Sequence, residues 1–185
     1  MKKKFLTISF FALMLVGCGQ NAATDSIQNS LENQQIKAHY LPGADPLNAS
    51  YVIDNRIFSL TNGLDKASIP DMTIHYLISV WDKPVTGDLN ADGSDDAALI
   101  LTQTVEQGKG LFYYLTASVQ DPKTKKFWGS SSVFLGDRIV IENLSIENGV
   151  ITVAFHSAKE NDSSATFITR RFTLNKFELR EQKEK

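Results

Sequence analysis

The segment "RIVIENLSIENGVITVAFHSA" (Arg138 to Ala158) constrains the fold most, because apolar and polar side chains alternate on both sides of an Asn148-Gly149 pair. A period of two puts every second side chain on one face of an extended strand. Asn-Gly supplies the two positive φ angles of a tight turn, so the segment reads as a β-hairpin. Ile139, Ile141, Leu144, Ile146, Ile151, Val153 and Phe155 share one face of it only if a residue near Asn143 is bulged. A hairpin with one apolar face needs a second layer to bury that face.

The rest of the chain supplies strands for that layer. "YVIDN" and "RIFSLTNG" meet at an Asp54-Asn55 pair suited to a tight turn. "TIHYLISVW" (Thr73 to Trp81), "AALILTQTV" (Ala97 to Val105), "GLFYYLTASVQD" (Gly110 to Asp121) and "KFWGSSSVFLG" (Lys126 to Gly136) are rich in β-branched and aromatic residues, and "ATFITRRFTLN" alternates again. One small helix is expected around residues 65–69, without capping residues to fix it. Short strands at regular spacing point to an all-β fold with a minor helix, a single antiparallel β-sandwich or barrel-like domain.

The amino-terminal end speaks to location. "MKKKFLTISFFALMLVGC" has three lysines and then an apolar run to Val16, which is signal-peptide architecture and too short to span a bilayer comfortably. Leu15, Val16, Gly17 and Cys18 resemble the bacterial lipobox, and that resemblance implies that Cys18 becomes the lipidated first residue of the mature protein. Cys18 is the chain's single cysteine, so lipidation leaves no thiol for disulfides, metals or nucleophilic catalysis. Acyl chains then hold the protein to a membrane through buried methylenes. Gly19, where inner-membrane lipoproteins resemble one another in carrying Asp, favours the outer membrane.

The expected organisation is a signal peptide (1–17), lipidated Cys18 with a flexible tether (18–49), a β domain (50–180) and a charged tail (181–185). The tether is rich in Gln, Asn, Ser and Ala, a composition that buries too little apolar surface to offset ordering, with one short helix expected over 26–36. Loss of Lys2, Lys3 and Lys4 leaves 16 basic against 21 acidic side chains, a charge of −5. Such a chain lacks the basic footprint of a nucleic-acid binder.

"GDLNADGSDDAALIL" (Gly87 to Leu101) carries the clearest chemistry. Counted from Asp88, side-chain oxygens fall at positions 1, 3, 5 and 9 (Asp88, Asn90, Asp92, Asp96), with Gly93 at 6 and the Ser94 carbonyl at 7. Calcium takes six to eight hard oxygens from such a curled loop, so these five residues are the expected metal ligands and structural calcium the expected cofactor. Asp95, at position 8, points away. Position 12 is Leu99 rather than a bidentate Glu, and a strand follows, which sets the loop apart from an EF-hand. It resembles the calcium loops between strands of integrin-type propellers.

Other chemistry is sparse. His39, His75 and His156 lack metal-ligand spacing, and no nucleophile elbow or phosphate-binding fingerprint appears. "GSSS" (Gly129 to Ser132) reads as a polar strand face. No catalytic residue is assigned. Tyr113, Tyr114 and Trp128 are a candidate ligand platform if they share an exposed face.

Finally, the Tyr-x-Ile-Asp opening at Tyr51, the Gly-Asp-Leu-Asn-x-Asp-Gly loop, Phe-Tyr-Tyr-Leu at Phe112 and Leu-Gly-Asp-Arg at Leu135 resemble a family of small, functionally uncharacterised bacterial envelope lipoproteins. The resemblance covers about residues 50–155 and implies architecture and location more than activity. The expected function is a lipid-anchored, non-catalytic binding or envelope-interaction module whose partner is an envelope protein or a glycan. The rival expectation is an envelope hydrolase using carboxylates near the loop.

Overall fold

Eight consecutive residues, Asp96 to Gln103, are buried, so the strand that carries them is covered on both faces. The computed structural model describes residues 40–68, 75–105, 110–157 and 167–183. The expected signal peptide, Cys18 and the helix over 26–36 lie outside them. In chain order the strands are β1 (Ser50–Ile53), β2 (Arg56–Ser59), β3 (Leu64–Ser68), β4 (His75–Val80), β5 (Val85–Gly87), β6 (Asp96–Val105) and β7 (Leu111–Gln120). They continue with β8 (Phe127–Gly129), β9 (Val133–Asp137), β10 (Ile139–Glu147), β11 (Val150–Ser157), β12 (Ile168–Asn175) and β13 (Glu178–Glu181).

The central sheet runs β3-β4-β6-β7-β8, with β5 also pairing β6 and β9 also pairing β7. The two long strands, β6 and β7, thus each serve two shorter partners along one edge. β10 to β13 form a four-stranded meander, and β1 and β2 a separate hairpin. All strand pairs are antiparallel. The fold is all-β, with a sandwich of meander on central sheet, as the strand patterns predict.

The side-chain alternation of β6 divides the core. Ala98 and Ile100 join Leu115, Ala117, Ile151, Val153, Phe155 and Phe172 between central sheet and meander. Leu99 and Leu101 point the other way and pack with Tyr51, Ile53, Phe58, Ile78 and Tyr114 beneath the β1–β2 hairpin. An apolar run without alternation is what a doubly covered strand requires.

The turns follow their residues. Asn148 and Gly149 have φ of 51° and 75°, and Asp54 and Asn55 have 47° and 62°, the signs of hairpin turns matched to strand twist. Registers Ile141↔Phe155 and Asn143↔Ala154 leave Glu142 as the bulged residue, which brings Leu144 and Ile146 back to the core face.

Three expectations need correction. Residues 64–68 pair with β4 as a strand rather than a helix, because Leu64 to Ser68 match Ser79 to His75 along a sheet edge. Among the described residues the one helical element is a 3₁₀ turn, Pro46–Asn48, capped by the Asp45 carboxylate. It lies in the expected tether, whose last residues pack on the domain: Tyr40 stacks on Trp128, Gly43 bridges Phe127, and Tyr51 donates its hydroxyl to the Pro46 carbonyl at 2.6 Å. At the other end Gln182 N–H donates to the Arg171 carbonyl, carrying strand pairing into the expected tail.

The "GSSS" stretch is a joint rather than a strand face. Val52 N–H donates to the Ser130 carbonyl, Ser131 N–H to that of Phe177, and Ser130 N–H to that of Ala117, tying hairpin, meander and central sheet together. Ser130 is fully buried, and its Oγ accepts the Ala117 N–H at 3.0 Å.

Candidate functional site

The acidic loop connects β5 to β6 and is wound around its own carboxylates. Asp88 Oδ1 accepts the Ala91 N–H at 2.7 Å and, at longer range, those of Asn90 and Asp92, while its Oδ2 accepts Gly93 N–H at 3.0 Å. Asn90 Oδ1 accepts Asp92 N–H, and Asp92 Oδ1 accepts Ser94 N–H. Ala91 and Gly93 take φ of 61° and 80°, which lets the chain curl this tightly. The four amides hold the Asp88 carboxyl below its ordinary range, led by Gly93.

Asp96 closes the loop. It is fully buried, with Oδ2 accepting Leu89 N–H at 3.0 Å and Oδ1 accepting Gln120 N–H at 2.9 Å. Burial nevertheless pushes its pKa up, with the charges of Asp92 and Asp88 adding to the effect. Asp95 is exposed, as its position requires. Among the described residues no group of three or more His, Cys, Asp or Glu side chains converges as metal ligands. The donor chemistry still fits a hard cation: Asp88, Asn90, Asp92, Ser94 and Asp96 share one loop, and an oxygen accepting an amide keeps a second lone pair.

The described histidine lies elsewhere. His156 Nδ1 sits 3.2 Å from Glu142 Oε1, six residues along β11 from the Val150 end nearest the loop and thus roughly 20 Å away. The side chains of His39 and His75 lie outside the described residues.

The aromatic trio is split by strand alternation. Tyr113 is buried toward the meander, edge-on to Trp81, and Tyr114 is buried toward the hairpin. Trp128 pairs with Val119, six residues from Tyr113 along β7, and stacks on Tyr40. These three therefore do not form one exposed platform.

Tyr114 does belong to another surface. At the far end of β6 and β7 an open groove of about 640 Å³ runs between the central sheet and the β1–β2 hairpin. Its floor follows the register: Tyr76 beside Val105, Gln103 beside Phe112, and Tyr114 beside Phe134. Phe134 is 49 % exposed, with its ring 5.4 Å from that of Tyr114 and 6.3 Å from that of Phe112. The hairpin turn contributes Asp54 and Arg56.

Polar groups fix that rim. Tyr114 donates its hydroxyl to Asp54 Oδ2 at 3.2 Å, and Arg56 lies over the Tyr76 ring while donating to its hydroxyl at 3.2 Å. Burial, followed by the Asp54 charge, pushes the Tyr114 hydroxyl up to about 12. Gln103 is 8 % exposed and lines the groove, yet its side-chain amide makes no hydrogen bond among the described residues. From sequence Asp54 is read only as a turn residue and Phe134 only as a strand aromatic, and neither they nor Arg56, Tyr76 and Gln103 are given a ligand role. Gln103 is a long polar side chain two residues beyond the apolar run of β6.

Loop and groove sit at opposite ends of β6. Asp96 and Gln103 are seven residues apart, roughly 23 Å along an extended strand. No known protein family, curated protein or solved structure matches the chain.

Proposed function

We propose that this chain is a lipid-anchored protein of the bacterial envelope, held through Cys18 at the outer membrane, whose β domain is a non-catalytic binding module. The aromatic groove is its binding site, and the Asp88–Asp96 loop is a structural connection that takes calcium. The observation that carries the reading is the groove itself, where exposed and half-buried aromatic rings surround the Gln103 amide, which has no hydrogen-bond partner among the described residues. Ligand sites combine apolar walls with a few placed polar groups, typically in clefts of about 300–1,000 Å³.

The loop fits the supporting role. Its carboxylates accept backbone amides and brace β6 against Gln120 of β7, whereas acid–base catalysis needs carboxyls directed at a substrate. Calcium there would neutralise the mutual repulsion of Asp88, Asp92 and Asp96.

A screen of small amphipathic fragments against the ¹⁵N-labelled full chain, in a polyoxyethylene detergent, tests the reading. Amide shifts centred on Gln103, Phe112, Tyr114 and Phe134 are expected. Hits that leave these residues unmoved and cluster elsewhere would remove the groove from the account.

A further inference from the structure

Resting on that reading of the groove, we propose that its ligand is an oligosaccharide, gripped by a sugar ring stacked on Phe134 and by hydroxyl or acetamido groups hydrogen-bonded to Gln103 and Asp54. The argument begins with Gln103. A primary amide offers two donors and an acceptor in one plane, and that of Gln103 lines the groove floor with no hydrogen-bond partner among the described residues. Its position between Ile78 and Phe112 in the sheet register aims it into the groove floor.

The remaining groups match the same chemistry. Asp54 holds one Tyr114 hydroxyl and, as an acceptor-only carboxylate, has lone pairs left for further hydroxyl donors. Arg56 is fixed over Tyr76 and supplies donors at the rim. A sugar ring presents C–H groups on one face, which meet the negative face of an aromatic ring, and donor–acceptor hydroxyls around its edge. Phe134 provides such a face, half exposed, on a strand fixed by Arg170, which donates to the Phe134 carbonyl at 3.0 Å while clamping Glu181 with two bonds of 2.7 Å. An acyl chain would leave Gln103 and Asp54 unmatched, and a peptide strand would seek unpaired backbone rather than this row of side chains.

Isothermal titration of the full chain tests the assignment, in a polyoxyethylene detergent because it carries no sugar. The probes are the β-1,4-linked tetrasaccharides of N-acetylglucosamine and of glucose. At least one is expected to bind with a Kd below about 1 mM. Phe134→Ala and Gln103→Met should each weaken it about tenfold or more, with urea midpoints near that of the wild type. Phe134 is exposed enough to be removed without loss of fold, and Met keeps the volume of Gln103. Binding unaffected by both variants, or no binding of either sugar, overturns the saccharide assignment. If amphipathic fragments still shift the Gln103 and Phe134 amides in that second case, the groove stands as a binding site and only the ligand class is wrong. If they do not, both fall.

Discussion

Replacing Asp96 probes the joint between the acidic loop and the sheet. Its two oxygens each accept one backbone N–H, from Leu89 and Gln120, in a fully buried position. Asp96→Asn preserves shape but turns an amide nitrogen toward one of those donors, leaving a buried N–H unsatisfied at a cost of about 1–3 kcal/mol. The raised pKa of Asp96 shows that burial penalises its charge, so removing the charge returns part of that cost. The net loss for Asn should fall near the lower end, about 1–2 kcal/mol. Asp96→Ala removes both acceptors, leaving the Leu89 and Gln120 N–H groups unpaired, and opens a void, for about 2–5 kcal/mol. Urea unfolding of the full chain, with unchanged m values, reads both numbers. An Asn variant within about 0.5 kcal/mol of the wild type, with Ala no worse, would refute the brace, because it would mean that water or local relaxation satisfies both amides.

Other expectations follow from the same contacts. Phe172→Ala, which empties a fully buried site between meander and central sheet, should cost about 3–5 kcal/mol in urea unfolding. Gly93→Ala meets open space but must hold φ near +80°, so its loss should be backbone strain alone, about 1–2 kcal/mol. Asp88, Asp121 and Glu181 have depressed pKa values, from backbone amides in the first two and from Arg170 in the third. Their stabilisation is present above the unfolded carboxyl pKa values of about 4 and disappears as pH falls through the lower folded ones. Asp96, with its raised pKa, acts in the opposite sense. The urea midpoint should therefore drop between about pH 5 and pH 2, and less steeply in Asp88→Asn and Asp121→Asn.

Local signals in the chain determine local structure well. The Asn148-Gly149 turn and the bulge beside Asn143 follow from periodicity and turn chemistry acting within a few residues. β3 was obscure because "LDKAS" is held by pairing with β4, a contact that no alternation announces. Tyr40 to Ala49 read as tether because two prolines and a glycine follow directly on the polar stretch before them, yet Trp128 and Phe127 engage them from distant positions and Tyr51 from nearby. The acidic loop was visible as a motif, including the curl at Gly93, whereas the bonds from Asp96 to Leu89 and Gln120 depend on how β7 lies beside β6. The groove was the least legible feature, since its hairpin roof and sheet floor are assembled from five separated stretches. Tyr113 and Tyr114 adjoin in sequence and part in space, because neighbouring strand residues face opposite ways.

The division of labour between a loop that builds and a groove that binds is tested most directly by titrating calcium into the ¹⁵N-labelled full chain and following amide shifts. The account predicts saturable shifts over Asp88 to Asp96 and at Gln120, with Gln103, Phe112 and Phe134 unmoved, and loss of the response in Asp92→Ala. No saturable shift in the loop, or calcium-driven shifts centred on the groove, would contradict it.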